Sequence, residues 1–166
     1  MINKKTIHTL SVYVSNKPGV LARIAQTFSR RGYNIESLVV SAAIDGQFSR
    51  MTIGVSGAEE GLDQIIKQVA KLVDVLHCTD HTFDAAVTKE MGLIKISVGA
   101  EGRGEALQIA EHFGCKTVDL TDESIMLQVV GDPDKIDALM GMLQKFKIIE
   151  IVRTGKVLMS RGSELT

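Results

Sequence analysis

Apolar and polar residues alternate over residues 7–14, IHTLSVYV, so that an extended chain would have one apolar and one polar face. This pattern predicts a strand with one buried face. Over residues 19–31 the apolar positions recur instead at helical spacing, and Gly32 follows where a glycine commonly ends a helix. The sequence therefore predicts a strand and then a helix.

The pattern then predicts three more strands and a second helix. The strands lie at 34–42, 48–55 and 72–78, and the helix covers about 59–71. Asp45-Gly46, between the first two of these strands, is a strong hairpin signal. The resulting order, β-α-β-β-α-β, is that of the split ferredoxin-like motif.

A second copy of this order follows along the chain. Its predicted elements are a strand at 93–98, a helix over 102–114, strands at 116–120 and 124–130, a helix that opens at Asp132-Pro133 with Asp132 as its cap, and a strand at 148–153. The predicted fold class is α+β, with two tandem ferredoxin-like βαββαβ domains whose antiparallel sheets carry their helices on one face. The predicted domain limits are 1–80 for the first domain, 81–91 for a linker and 92–166 for the second domain.

The sheet face without helices is unusual in its residues. In the first half it carries serine, threonine, valine and tyrosine rather than a row of charges. We interpret it as a surface that another copy of the chain or another protein covers. The alternative is a solvated face, which antiparallel sheets often have.

Composition limits the possible functions. Of the 166 residues 45% are hydrophobic and 4% aromatic, which predicts aliphatic cores, and the formal net charge of −1 gives no basic excess for nucleic acid binding. The two cysteines lie far apart and suggest no disulfide framework. Neither a signal peptide nor an apolar run of roughly 20 residues is visible, so we expect a cytoplasmic protein without a membrane segment.

No set of residues has the pattern of a catalytic site. The stretch GAEGRG at 99–104 lacks the lysine and hydroxyl residue of a phosphate-binding loop, and its glutamate would repel phosphate. His77, Cys78 and His81 could hold a metal, but neighbouring side chains on a strand point to opposite faces, which would separate His77 from Cys78. We therefore expect no catalytic residue and no metal site, which favours a binding or regulatory module.

The loop between the first strand and helix, SNKPG at 15–19, has two interpretations. In the first, Asn16 caps the helix and Pro18 occupies its first turn. In the second, the helix amides bind a carboxylate, and Gly19 lets the ligand approach the backbone closely. Asn34 favours the second, because its amide could meet the ammonium of an amino acid that lies between two copies of the chain.

Several stretches of the chain resemble a known family. NKPGVL at 16–21, followed by GYNI at 32–35, is similar to the ACT domain, a small module that binds amino acids and regulates biosynthetic enzymes. The more specific stretches resemble the small, regulatory subunits of acetolactate synthase (acetohydroxyacid synthase); they are RGYNIESL (31–38), SRMTI (49–53), KLVDVL (71–76), LIKI (93–96) and IVRTGKVLMSRG (151–162).

This resemblance implies a non-catalytic subunit of branched-chain amino acid biosynthesis. Such a subunit binds and activates a thiamine-diphosphate-dependent large subunit and confers feedback inhibition by valine. The resemblance also implies a homodimer of N-terminal domains with the effector at their interface. The positions that match the effector loop are Asn16, Gly19, Val20 and Leu21, with Asn34 and Ile35 from the facing chain. Thiamine diphosphate, magnesium and FAD are implied on the large subunit, with no cofactor on this chain.

We expect the effector's side chain to contact Val20 and Ile35. The sequence does not distinguish valine from leucine or isoleucine, because aliphatic pockets discriminate by only about 1–3 kcal/mol per methylene. It leaves open whether the chain inhibits or only activates, which face meets the large subunit, and whether the second domain binds a ligand. Two other functions also stay open: a stand-alone amino-acid-sensing ACT protein that regulates another enzyme, and a metal-responsive protein.

Overall fold

A computed structural model describes residues 6–58 and 60–166 of the chain. The chain divides into two compact units. The first consists of the residues up to Val87 together with Gly155–Thr166, and the second of Thr88–Thr154.

The first unit has the predicted element order. Its elements are β1 (Ile7–Ser15), α1 (Val20–Arg30), β2 (Asn34–Ala42), β3 (Phe48–Ser56), α2 (Leu62–Ala70) and β4 (Val75–Asp80). The strands are antiparallel neighbours in the order β2-β3-β1-β4. The two edge strands of this sheet are therefore β2 and β4.

One face of this sheet packs against both helices around an aliphatic core. The alternation in β1 places Leu10, Val12 and Val14 on the buried face, as predicted. Burial of each such side chain contributes about 1.5–3 kcal/mol relative to an exposed position. The helices and β3 supply most of the other buried residues of this core, among them Val20, Ile24, Phe28, Met51, Ile53, Val55, Leu62, Ile65 and Val69.

The second unit repeats the order of the first. Its elements are β5 (Val87–Ser97), α3 (Ala100–His112), β6 (Lys116–Leu120), β7 (Ser124–Gly131), α4 (Pro133–Leu143) and β8 (Lys147–Arg153). The strands follow the order β6-β7-β5-β8, and their antiparallel pairing repeats that of the first sheet. Its core includes Ile94, Ile96, Ile125, Leu127, Ile136, Leu139 and Leu143. The predicted fold class, α+β with two tandem ferredoxin-like domains, is confirmed.

The start of β4 differs from the prediction. Residues 72–74 form a turn after α2 instead of the beginning of the strand, because the amide of Leu72 donates to Val69 and the amide of Val75 donates to Leu72. Leu72 still packs against the core from this turn. Because a turn residue such as Leu72 can also be buried, the apolar pattern of the sequence does not show where the turn ends and the strand begins.

The start of β5 also differs, since the strand begins at Val87 and not at residue 93. The buried position in its first part is Glu90, which is 5% exposed. Arg153 holds this carboxylate with two hydrogen bonds of 2.8 Å, and it also donates to Asp137 at 2.6 Å. The hydrogen bond to Glu90 raises the pKa of Arg153 further above its ordinary value. The prediction missed the first part of β5 because its buried position holds a charged residue, paired with Arg153, where the strand pattern expects an apolar one.

The start of one helix and the cap of another in the second unit differ from the prediction as well. The helix α3 begins at Ala100, so most of GAEGRG lies in its first turns and not in a preceding loop. Asp132 is the N-cap residue of α4, as predicted, but its side chain makes no capping hydrogen bond. It accepts a hydrogen bond of 2.9 Å from Lys89 instead. The Lys89 hydrogen bond lowers the pKa of Asp132.

The segment after β8 returns to the first unit. Residues 155–166, with the short strand β9 (Val157–Met159), belong to that unit. Gly155 has φ 81°, and a Cβ there would lie 2.5 Å from the Cβ of Ser37 on β2, so the position requires glycine. Arg50 on β3 donates to the backbone oxygen of Thr166. A segment of the same chain therefore contacts the helix-free face that we interpreted as a surface for another molecule.

Residues 81–87 also belong to the first unit. The amide of His81 donates to the oxygen of Thr9 at 2.8 Å, and the amide of Thr9 donates to the hydroxyl of Thr82 at 3.0 Å. The two compact units thus place 81–87 and 155–166 in the first unit and 88–91 in the second, and the domain limits 1–80, 81–91 and 92–166 stay a prediction.

Candidate functional site

The loop between β1 and α1 is tied to two neighbouring turns. The amide of Ser15 donates to Asp74 and the amide of Asn16 donates to Gln47, each at 2.8 Å. The side-chain Nδ2 of Asn16 donates to the oxygen of Gly46 at 3.0 Å. Asn16 therefore fastens the loop to the hairpin that joins β2 and β3.

The N-cap of α1 is Gly19 and not Asn16, so the interpretation of Asn16 as the cap is wrong. Gly19 has φ 84°, in the left-handed region that glycine adopts without strain. No side chain caps this helix. Its first-turn amides, including those of Val20 and Leu21, therefore have no side-chain acceptor, and with the helix dipole they favour an anion such as a carboxylate.

An acidic residue holds the beginning of α1 in place. The side chain of Asp74 is 12% exposed and pairs with both Arg23 and Lys17, the latter at 3.6 Å. Because Asp74 also accepts the amide of Ser15, the end of β1, the loop and α1 are joined at one residue. The loop is thus positioned before any ligand arrives, which reduces the entropic cost of binding.

The hydrophobic site candidates have different environments. Val20 is 3% exposed and packs in the core, and the expected contact of its side chain with an effector stays a prediction. Leu21 is 38% exposed at the same helix end. Ile35 is partly buried against the core at the start of β2. The exposed aliphatic side chain at this helix end is therefore that of Leu21.

Asn34 begins the edge strand β2 and pairs with Ser56 of β3. Its Nδ2 donates to Oε1 of Glu36 at 2.8 Å. In both Asn34 and Asn16, the side-chain Nδ2 therefore donates a hydrogen bond to an oxygen of the same chain. In residues 6–58 and 60–166, no protein hydrogen bond is made to the Oδ1 atom of either asparagine. Both side chains therefore offer an acceptor, which suits a donor-only group such as an ammonium.

The two asparagines lie at opposite ends of the sheet. Ser15, next to Asn16, is opposite Phe48, whereas Asn34 is opposite Ser56 at the other end of β3. At 3.3 Å per residue, the eight steps from Phe48 to Ser56 span about 26 Å. One chain therefore brings Asn16, Gly19, Val20 and Leu21 together, and it places Asn34 and Ile35 far from them.

Known proteins are similar to this chain in sequence and in fold. A family model described as an AHAS small subunit-like ACT domain matches residues 10–77, and one described as the small subunit of acetolactate synthase matches residues 89–162. The acetolactate synthase small subunit of Mycolicibacterium smegmatis is 43% identical over 162 residues, which cover 98% of this chain and 95% of the relative. The chain belongs to the acetolactate synthase small-subunit family. The resemblance inferred from the sequence is confirmed.

Other members of the small-subunit family agree with this assignment. The probable acetolactate synthase small subunit of Archaeoglobus fulgidus is 41% identical over 95% of this chain and 98% of its own length. The crystal structure of the acetolactate synthase small subunit from Thermotoga maritima superposes with a TM-score of 0.82 at 36% identity, and the match covers 95% of this chain and 99% of that one. The chain therefore shares its ACT-like fold with that small subunit over 95% of its length.

In the second unit, different side chains hold the corresponding loop, which joins β5 to α3. The amide of Val98 donates to Glu123 at 2.9 Å, as the amide of Asn16 does to Gln47. The place of the Asn16 side chain is taken by Arg103, which donates to the oxygens of Thr121 and Asp122 at 2.8 and 2.7 Å. A guanidinium from the same chain thus binds the hairpin oxygens.

The histidine and cysteine residues do not converge. The ring of His77 stacks on Tyr13 at 5.5 Å, whereas Cys78 packs against the core on the other face, so their predicted divergence is confirmed. Burial, assisted by Asp80, raises the pKa of Cys78 to about 12. Burial and nearby Arg50 lower the pKa of His77. In the described part of the chain no three His, Cys, Asp or Glu side chains form a group that could hold a metal ion.

No helix within residues 6–58 and 60–166 has the length and apolar character needed to cross a membrane.

Sequence reasoning missed three residues that shape the site. Gly46 was visible as part of a turn, but its contact with Asn16 spans 30 positions, which no local pattern reveals. Asp74 and Glu36 are charged residues in a turn and on an edge strand, where charges are usual. Their roles follow from the fold.

Proposed function

We propose that this chain is the regulatory subunit of an acetolactate synthase, which activates a catalytic large subunit and makes it sensitive to valine. The chain itself supplies no catalytic residue. Thiamine diphosphate, magnesium and FAD are carried by the large subunit, and this chain supplies the effector site. Its location is the cytoplasm, where the large subunit works.

The observation that carries this proposal is the distribution of binding groups over the first sheet. One end offers uncapped helix amides and the oxygen of Asn16, and the opposite end offers the oxygen of Asn34. A free amino acid carries a carboxylate and an ammonium, which match these groups. Because the two ends are about 26 Å apart along β3, one small ligand needs groups from two copies of the chain.

The edge strand β2 provides a route to such a homodimer. If two β2 strands pair antiparallel about a two-fold axis, Asn34 of one copy lies near Ala42 of the other. Ala42 directly precedes the hairpin that contains Gly46, the partner of Asn16. The pairing therefore brings the start of one β2 towards the Asn16 loop of the second copy and creates two equivalent sites.

In each site we place the ligand carboxylate at the α1 amides that follow Gly19. The ammonium donates to the oxygens of Asn16 and of the second copy's Asn34. The isopropyl group lies against Leu21 and Ile35, the latter from the second copy. A ligand held by two copies binds one arrangement of the dimer more tightly than another, which is the condition for regulating an attached enzyme.

The test combines this chain with an acetolactate synthase large subunit and measures acetolactate formation with and without valine. We expect a higher rate when the chain is added and a lower rate when valine follows, with leucine and isoleucine as comparison ligands. If valine binds the chain but the chain changes neither rate, it is a stand-alone amino-acid sensor for another enzyme. If there is no binding and no effect on rate, the proposal is wrong.

A further inference from the structure

A polar network surrounds Asn34 at the start of β2. Asn34 and Glu36 are two positions apart on the strand, and Ser56 is the residue of β3 that faces Asn34. One oxygen of Glu36, Oε1, accepts hydrogen bonds from Nδ2 of Asn34 at 2.8 Å and from the hydroxyl of Ser56. The Asn34 amide and the Ser56 hydroxyl thus meet at a single carboxylate oxygen.

The chemistry of the carboxylate decides which end of the Asn34 amide faces it. A carboxylate has no hydrogen to donate, whereas the asparagine amide can donate from nitrogen and accept at oxygen. The nitrogen must therefore face Glu36, and Oδ1 must face away from it. Ser56 is 3% exposed, and its hydroxyl gives the Glu36 carboxylate a fixed partner on the sheet.

We propose that Glu36, supported by Ser56, is a positioning residue that makes Asn34 a hydrogen-bond acceptor, so that the site selects α-amino acids over α-hydroxy acids. This inference rests on the proposed function, because it assigns Asn34 to the ammonium of the effector. An ammonium only donates, so it requires an acceptor. A hydroxyl both donates and accepts, and it binds either orientation of the amide.

The bulge in β2 agrees with this role. The pairing of β2 with β3 shifts register between Ile35 and Ser37, and Glu36 lies at this shift. A bulge redirects a side chain, and such features are common beside binding sites. Here the bulge places the Glu36 carboxylate between Asn34 and Ser56.

Glu36→Gln tests the proposal, because glutamine keeps the shape but can turn its own amide donor towards Asn34. Isothermal titration of the full chain compares L-valine with its 2-hydroxy isostere, which carries a hydroxyl in place of the ammonium. We expect the Kd for valine to rise roughly tenfold, the loss of one hydrogen bond to a charged group. The Kd for the isostere should change less than about twofold by the same reasoning.

Two further variants complete the design. Ser56→Ala should also weaken binding of valine relative to the 2-hydroxy isostere, but by a smaller factor than Glu36→Gln, because Glu36 still faces Asn34. Glu111→Gln, on the exposed surface of α3, removes one negative charge elsewhere and should leave both affinities unchanged. Circular dichroism and light scattering compare the fold and the oligomeric state of each variant with those of the original chain.

The possible outcomes separate this inference from the proposed function. A selective loss of valine binding in Glu36→Gln supports it. Equal loss of both ligands, or no loss, overturns it while the effector site stands. If the original chain binds no branched-chain amino acid, both the effector site and this inference are wrong.

Discussion

Gly19 allows a sharp test of where the effector carboxylate binds. We compare Gly19→Asp with Gly19→Asn, two side chains of nearly equal shape that differ by one negative charge. At φ 84° both residues adopt the left-handed conformation that asparagine and aspartate tolerate best. No heavy atom beyond the chain neighbours lies within 4 Å of a Cβ at this position, so either side chain fits. The comparison of the two variants therefore measures the effect of the negative charge at nearly constant side-chain shape.

The magnitude follows from electrostatics at the α1 N-terminus. Each substitution costs about 1–2 kcal/mol of backbone strain, and this cost is common to both variants. For a separation of about 5 Å between the introduced carboxylate of the Gly19→Asp variant and that of the ligand, two like charges repel by roughly 3 kcal/mol at an effective dielectric of 20. This corresponds to about a hundredfold weaker binding for the aspartate variant than for the asparagine variant.

The assay is valine inhibition of the assembled enzyme. The valine concentration that halves the rate is measured for each variant, and the rate without valine reports whether the subunits still assemble. We expect the half-inhibitory concentration for Gly19→Asp to exceed that for Gly19→Asn by about a hundredfold. If the two variants are equally sensitive, the carboxylate does not bind at this helix end. Raised salt concentration should reduce the difference between the two values, because salt screens the repulsion between the two carboxylates.

Three further predictions concern two buried groups outside the site. Glu90→Gln should lower the free energy of unfolding by about 2–3 kcal/mol. The loss is smaller than for a fully buried ion pair because the side chain of Arg153 is 33% exposed. Urea unfolding measures this free energy, and a change near zero would contradict the prediction. Because the pKa of Cys78 is about 12, roughly one thiol in ten thousand is ionised at pH 8, so an Ellman reagent should modify Cys115 first. The raised pKa stabilises the fold fully below about pH 9, and this contribution is lost as the pH rises towards 12. Equal labelling rates, or stability unchanged up to pH 12, would contradict the assignment.

The hydrophobic pattern predicted most of the fold because aliphatic residues make both cores. In β1 and α1 the apolar periods match the buried faces, so element type and limits agree with the structure to within a residue or two. The pattern failed where another interaction replaced apolar burial. Glu90 is buried by pairing with Arg153, and Leu72 is packed from a turn.

The candidate site was less predictable than the fold. The motif located Asn16, Gly19 and Asn34, but the helix-cap interpretation of Asn16 failed because its amide reaches Gly46 across the sheet. This contact joins residues 30 positions apart in the sequence, so no local pattern reveals it. The orientation of Asn34 depends likewise on Glu36 and on a bulge in β2.

The return of residues 155–166 to the first unit determines the order in which the protein can assemble during synthesis. Arg50 and Thr166 are 116 positions apart, so their contact closes only after the whole second unit has been translated. Contacts of such large sequence separation form slowly. The second unit is continuous in sequence and can complete its own contacts earlier. We therefore expect the unit whose sequence emerges first from the ribosome to be the last to mature.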